Sequence, residues 1–459
     1  MADWTPDFAL SDKPRYLAIA DLIAADIRSG RLAVGDRLPP QRVLAKRVGI
    51  DFTTVARGYE EARKRGLVTA RVGQGTFVAG APQTTQMRAH ARLSADLTMN
   101  LPPEPTDPAL LDMMREGLVA VARDLVPRLR YQGFGGSAED KDAASSWLGR
   151  RALVPAQDRL FVTPGAHSAL HGVFSILAKP GDVILCEAIT YPGVRSIAAQ
   201  LGVRLVGLAM DEDGVTPEAL EEACARHAPK AIYLNPTLQN PTTLTIPEHR
   251  RTALAAVARA NELPIVEDDA YGFLPTKKIS PFAAIAPDLT WHVAGLAKCI
   301  GAGLRAAYVV APSARAAWPF VAALRAATVM ASPLTVALAT RWIEDGAADA
   351  MLRFIREETA ARQRMATEIL PPGSFRADPL SFNLWIPLPP PWSRSSFVGQ
   401  MRETGIGVVA SDAFTVGSAP TEAVRVCIGG PSTRDEIRAA LEFIGHALTE
   451  PPELASAYI

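Results

Sequence analysis

The sequence predicts an α/β protein in two parts. A small unit of three helices and a hairpin comes first. A larger domain follows, built on a mostly parallel sheet with helices on both faces and ending in a smaller α+β subdomain. Three observations predict this. Residues 10–80 hold three helical patterns and then two β-rich runs around Gly-Gln-Gly. From about Asn100, short apolar runs alternate with helical patterns, as strands with crossover helices do. Beyond about Ala314 the chain is helix-rich, with "FNLWIPL" and "AVRVCIG" as late strands.

Composition bounds the rest. At 459 residues the chain exceeds one ordinary domain, which averages about 150 residues. Hydrophobic residues make up 48% and charged residues 21%, the balance of a globular protein in water. The 48 basic residues equal the 48 acidic ones, so overall charge names no partner. The start, "MADWTPDFALSDKPRY", has neither a basic end nor an apolar core, so no signal peptide is expected. No run of 18 apolar residues occurs, so no membrane span is expected, and the cytoplasm is the simplest location. The cysteines Cys186, Cys224, Cys299 and Cys427 are scattered without a C-x-x-C pair, so neither a metal site nor a disulfide framework is expected.

Charge is uneven locally. From Arg37 to Arg71 there are nine basic and three acidic residues, a net +6 that suits phosphate. Within it, "PRYLAIADLIAADIRSG" has a proline start, apolar positions at Tyr16, Ala20, Ile23 and Ile27, and a glycine stop at Gly30. "PPQRVLAKRVGI" gives a short second helix ending at Gly49. "DFTTVARGYEEARKRG" gives a third, with Val55, Tyr59 and Ala62 inward and Thr53, Arg57 and Lys64 outward. "LVTARVGQGTFV" is a hairpin. Three helices and a hairpin make a winged helix-turn-helix, whose third helix enters the major groove of DNA.

The stretch "LAVGDRLPPQRVLAKRVGIDFTTVARGYEEARKRGLVTARVGQGTFV" resembles the DNA-binding domain of GntR-family bacterial regulators. That resemblance implies DNA contacts at Arg42, at Thr53, Thr54 and Arg57, and at Arg71, Gly73 and Gly75. One position departs: the family commonly starts its recognition helix with a basic residue, and Phe52 stands there. Residues 1–79 are therefore read as the DNA-binding domain, 80–97 as a polar, alanine-rich linker, and 98–459 as a second domain. The second domain is divided into a large subdomain over about 155–320 and a small one over about 321–459.

In the second domain, polar residues stand at the ends of predicted strands. Lys298 lies in the apolar run "HVAGLAKCIGAGLRAAYVVAP", where a lysine needs a reason to be. Asp268 and Asp269 close "LPIVE", Asn235 and Asn240 follow "KAIYL", and Tyr191 follows "VILCEAIT". "TPGAHSAL" is a glycine turn opening a helix, a ready anion site. Ligands of doubly wound sheets sit beyond these strand ends. Pyridoxal 5′-phosphate needs this set: a lysine amine, a carboxylate for the pyridine nitrogen, a phosphate cradle and a stacking ring.

The order of these residues resembles fold-type I, pyridoxal phosphate-dependent aminotransferases over about residues 97–450. The resemblance implies that Lys298 is the Schiff-base lysine and Arg305 a phosphate ligand, from "GLAK" and "CIGAGLR". It implies Asp268 as partner of the pyridine nitrogen, and Tyr271 and Asn240 as partners of the ring hydroxyl. Ala166 and His167 become phosphate contacts and Tyr191 the stacking ring. Tyr131 in "RYQGFGG" becomes a phosphate contact across a dimer, and Arg425 the grip on an α-carboxylate. Gly295 departs from the usual serine and Thr243 from the usual glycine of N-P-T-G. His171, His249 and His292 are read as structural.

A winged helix joined to such a domain is similar in layout to the MocR/PdxR-type branch of GntR regulators. The resemblance implies a homodimeric, pyridoxal phosphate-dependent regulator of transcription. It would bind a double-stranded operator and sense an amino acid or amine by aldimine exchange at Lys298. The alternative is an active aminotransferase that carries a DNA-binding domain.

Overall fold

The computed structural model describes residues 4–6, 14–28, 31–32, 35–64, 67–71, 75–78, 95–417 and 421–449. The chain divides into two compact units, Met1–Ala89 and His90–Ile459.

In the first unit, α1 (Arg15–Arg28), α2 (Gln41–Val48) and α3 (Phe52–Lys64) precede the hairpin of β1 (Val68–Arg71) and β2 (Gly75–Val78). The hairpin is antiparallel, with Val68 opposite Val78 and Arg71 opposite Gly75. The inward face expected of α3 is buried: Val55, Tyr59 and Ala62 join Ile19, Ile23 and Leu44 in one core. On α1 the expected face is shifted: Ile19, Ala20 and Ile23 are buried, while Tyr16 and Ile27 are only half-buried. The shift follows from Gly58 of α3, which brings the two helices close. A Cβ there would stand 2.9 Å from the Ile19 Cβ.

The second unit is organised by a seven-stranded sheet. Its strands are β4 (Leu160–Thr163), β5 (Val183–Glu187), β6 (Arg204–Leu208), β9 (Ala231–Leu234), β10 (Ile265–Asp268), β11 (Thr290–Gly295) and β12 (Ala307–Val310). They lie in the order β4-β12-β11-β10-β9-β5-β6. All neighbours are parallel except at β12, which runs antiparallel to both β11 and β4. A small antiparallel pair, β7 (Met210–Asp211) and β8 (Gly214–Val215), follows β6. Strand side chains alternate between two covered faces. Cys186, Tyr233 and Val266 pack on one side; Leu185, Ile232 and Ile265 pack on the other. Apolar runs such as "VILC" and "AIYL" are therefore uninterrupted, since neither face meets water.

A third layer of structure closes the chain. β13 (Asn383–Pro387), β16 (Ala423–Cys427) and β15 (Val409–Ala410) form a three-stranded sheet. β14 (Ile406–Gly407) pairs in parallel with β3 (Ala95–Asp96).

This corrects two expected boundaries. Residues 95–97, read as linker, instead begin the second unit, with Ala95 and Leu97 buried in the small-subdomain core. Two buried positions in a polar stretch leave no periodicity to read. The remainder of the expected linker lies outside the described residues. The division expected near residue 320 falls within the helix Ala314–Thr328, whose Ala317, Phe320 and Leu324 pack together against the large sheet. The core changes hands instead along the helix Ala347–Ile369. Its Met351, Leu352 and Ile355 face the large core, and its Met365 and Ala366 face the small one. Among the described residues, no helix is long and apolar enough to cross a membrane.

Candidate cofactor site and DNA-binding face

A cavity of about 470 Å³ opens beyond the C-terminal ends of β9, β10 and β11. It brings together Lys298, Asp268, Tyr271, Asn240, Tyr191, Arg305, Ala166, His167 and Arg425, nine of the ten residues expected at the site. The tenth, Tyr131, does not line it. Tyr131 is 83% exposed, in the loop before the helix Ala138–Leu148.

Each side chain is placed by the element that carries it. Lys298 sits in a single turn, Leu296–Lys298, directly after β11, and donates to the main-chain oxygen of Asn100. Burial pushes its amine down to about 8; Arg425 and Arg305 add to the drop, and Asp268 opposes it. Asp268 is the last residue of β10 and is buried. Its Oδ2 accepts from Tyr233 Oη at 2.8 Å, and its main-chain oxygen accepts from Asn235 Nδ2 at 2.7 Å. Its Oδ1 is buried without a hydrogen-bond partner. Burial raises this carboxyl to about 6, against the pull of the Tyr233 hydrogen bond.

The anion cradle lies on the other side. The helix Ala166–Leu177 starts at Gly165 with no side-chain cap, so its first N–H groups point outward unpaired by a cap. Gly165 has φ +90°, and a Cβ there would stand 3.3 Å from the Arg305 guanidinium. Only glycine allows both the turn and the approach. Burial lowers the His167 imidazole, and the Arg305 charge lowers it further, which favours the neutral ring. Gly295 faces Ala166, and a Cβ there would meet the Ala166 Cβ at 3.4 Å, an ordinary contact.

The remaining wall is aromatic and polar. Tyr191 stands at the start of the helix Pro192–Leu201, its phenol raised first by burial and then by Asp268. Tyr271 Oη accepts from Asn100 Nδ2 at 3.0 Å. Arg425, on β16, donates from Nη1 to Asn240 Oδ1 at 2.8 Å and from Nη2 to the main chain of Thr98. Its Nε is buried without a partner.

Three contributors were not visible in the sequence. Tyr233 orients Asp268. Its signal was a tyrosine inside an apolar strand, because a buried hydroxyl needs a partner. Asn100 joins the site from the entry segment and also donates to Asn383 Oδ1 at 3.1 Å. Glu187, fully buried, accepts from the main-chain N–H of Asn235 and from Thr190 Oγ1, both at 2.9 Å. Beneath them, Arg151 clamps Asp269 at 2.9 Å, and His292 pairs with Glu267 at 2.8 Å, the structural place expected of His292.

On the first unit, Arg42 is exposed, with its guanidinium carbon 5.8 Å from the centre of the Phe52 ring. Thr53 is exposed but tied back: its N–H donates to Asp51 Oδ1 at 2.7 Å, and its hydroxyl donates to the same oxygen. Thr54 is half-buried. Arg57 is exposed, and its guanidinium sits 4.4 Å above the Tyr16 ring. Gly75 opens β2 with φ +115° beneath the Arg37 guanidinium. The Arg71 side chain and Gly73 lie outside the described residues.

Residues 95–444 match the family Aminotransferase class I and II, and residues 15–78 match Bacterial regulatory proteins, gntR family. The chain thus belongs to the class I and II aminotransferase family, joined here to a gntR-type DNA-binding domain. Whole-length relatives narrow this further. The chain is 30% identical, over 97% of each protein, to YdeF of Bacillus subtilis (strain 168), an uncharacterized HTH-type transcriptional regulator. It is 27% identical to the vitamin B6 salvage pathway transcriptional repressor PtsJ of Salmonella typhimurium (strain LT2), over 89% of this chain and 93% of that one. It is therefore a GntR-family HTH-type transcriptional regulator with an aminotransferase-like domain. In fold, its second unit is like LysN, the α-aminoadipate aminotransferase of Thermus thermophilus. The TM-score is 0.70 at 22% identity, over 82% of this chain and 96% of that one.

Pyridoxal 5′-phosphate is the cofactor of this fold, and the residues present fit it. The unpartnered Asp268 Oδ1 lacks the donor that a protonated pyridine nitrogen supplies, and Gly165 leaves an uncapped helix start beside Arg305 for a phosphate.

Proposed function

We propose that this regulator senses an amino compound in the Lys298 cavity and reports it, as a homodimer, to operator DNA. The observation that carries the reading is the buried, partnerless Asp268 Oδ1 in the same cavity as Lys298. When bound, the cofactor supplies a carbonyl carbon for amines and an electron-withdrawing ring. In this reading Lys298 tethers it. With its amine lowered to about 8, about a tenth of the lysine is neutral and nucleophilic at pH 7. Asp268 holds the proton on the ring nitrogen, and Tyr233 holds Asp268. Arg305 and the N–H groups of Ala166 and His167 take the phosphate. Tyr271 and Asn240 face the ring hydroxyl, and Tyr191 stacks. Arg425, with Nε unpartnered, grips the carboxylate of an amino-acid effector.

Exposure of Tyr131 fits a role toward a second subunit, as does the apolar surface of Leu125, Val126 and Leu129 just before it. On the first unit, Arg42, Thr53, Thr54, Arg57, Arg71, Gly73 and Gly75 remain the proposed DNA contacts. The stacking of Arg57 on Tyr16 favours a phosphate contact for it over a base contact. An effector changes DNA binding only through its differential affinity for two states of the protein.

The test is spectroscopic. Protein loaded with pyridoxal phosphate should show the absorbance band of the lysine-bound cofactor, and Lys298→Ala should lack it. Amines that shift the band should change affinity for the operator. A shifted band without any change in DNA affinity would overturn the sensing role. The convergence of Lys298, Asp268 and Arg425 also favours a second reading, transamination. Multiple turnovers with an amino donor and 2-oxoglutarate would establish it.

A further inference from the structure

The residue that departs from the family pattern of the recognition helix is also the one the DNA reading leaves unexplained. Phe52 is the first residue of α3 and is 42% exposed. The preceding Asp51 is engaged in holding the first turn through Thr53. The phenyl ring therefore projects from a fixed helix start. It lines a groove of about 330 Å³ together with Arg37, Leu38, Arg42, Gly75 and Thr76. Among the described residues, no acidic side chain lines this groove. Its floor is apolar and its flanks carry two guanidinium groups, one of them stacked on the ring.

Such a surface is complementary to the major groove of DNA. N-terminal residues of a recognition helix meet base edges there. Cations meet phosphates or guanine, while an apolar ring finds only one apolar feature, the C5 methyl of thymine. An arginine at this place would seek guanine O6 and N7. A phenylalanine cannot, and burying its ring against polar base edges would strip water from groups it cannot bond.

We propose that Phe52 is a specificity-determining residue that packs on the C5 methyl of one thymine in each operator half-site. Arg42, held on the ring face, fixes the angle of that contact. The proposal rests on the DNA-binding reading of the first unit.

The experiment uses full-length protein and duplexes selected from a random pool. Each thymine of the selected site is replaced in turn by deoxyuridine, which removes the methyl and nothing else. At one position per half-site the wild type should weaken roughly fourfold, the effect of one buried methyl. Phe52→Ala should bind more weakly and should show no difference between thymine and deoxyuridine there. Phe52→Arg, selected afresh, should exchange that thymine for guanine. If no position loses its uridine sensitivity in Phe52→Ala, the proposal falls while DNA binding stands. If no duplex is enriched at all, the DNA-binding reading falls and takes the proposal with it. An unchanged thermal unfolding curve for Phe52→Ala separates lost contact from lost fold.

Discussion

Two residues of the cavity are held in protonation states that cost the folded chain stability. The carboxyl of Asp268 is raised by burial from its ordinary 3.8 to about 6. The folded state thus binds this proton more tightly than the unfolded one, so stability falls as pH rises through about 4 to 6 and stays lower above. In cofactor-free protein, Asp268→Asn should remove that cost. The gain at pH 8 should be about 3 kcal/mol at most, the free energy that a rise from 3.8 to about 6 represents, and should vanish near pH 4. The lost ionic acceptor of Tyr233 works against it. Urea unfolding at pH 4 and 8 measures the difference; a variant less stable than wild type at pH 8 would show that Asp268 is not strained. The same variant should release pyridoxal phosphate more readily. Stability and function pull apart here, as at sites built for a ligand. Gly295 is the opposite case. A Cβ there meets only an ordinary contact with Ala166, so Gly295→Ser should fold without measurable loss. Its hydroxyl would stand at the cradle, and the dissociation constant for pyridoxal phosphate should fall severalfold in a fluorescence titration. Unchanged or weaker binding would mean that the phosphate does not lie against β11.

Elements differ in how far the sequence betrays them. The runs "VILC" and "AIYL" were legible because a strand covered on both faces can be apolar throughout. The direction of β12 was not read from its own residues. It lies in the link: Gly295 to Ala307 is bridged by two single turns with no crossover helix, which suits an antiparallel neighbour. β3 escaped because two residues carry no period. Most of the cavity was legible because glycine turns and lone charges mark strand ends. Asn100 was not, since its partners Tyr271 and Asn383 are distant in sequence and only the folded chain brings them near. The contact of α1 with α3 was likewise hidden in one glycine. Gly58→Ala would place a methyl 2.9 Å from Ile19, with overpacking worth about 1–3 kcal/mol. The variant should lose DNA binding and lower the unfolding temperature of the first unit, while pyridoxal phosphate binding stays intact. A wild-type DNA affinity at 25 °C with an unchanged unfolding curve would mean that the helices have room to part.

At the scale of the molecule, the two units have separate cores, one around Ile19, Val55 and Tyr59 and others around the seven-stranded sheet. Each ligand therefore has its own unit to stabilise. A cofactor present at a hundred times its dissociation constant adds about 2.7 kcal/mol to the state that binds it. Pyridoxal phosphate should raise the unfolding temperature of the second unit and leave that of the first alone. Communication between them is a further quantity, and it is reciprocal. If an amine changes operator affinity by some factor, the operator must change the affinity for that amine by the same factor. Titrating the amine by its effect on the cofactor band, with and without saturating operator, measures the second factor; gel shift with and without the amine measures the first. Equal factors above about five, or roughly 1 kcal/mol of coupling, would establish one linked equilibrium. Two factors of one would leave a DNA-binding unit and a cofactor-binding unit that share a chain without exchanging information. Unequal factors would point to a third equilibrium, most simply subunit association, and repeating both titrations at several protein concentrations would expose it.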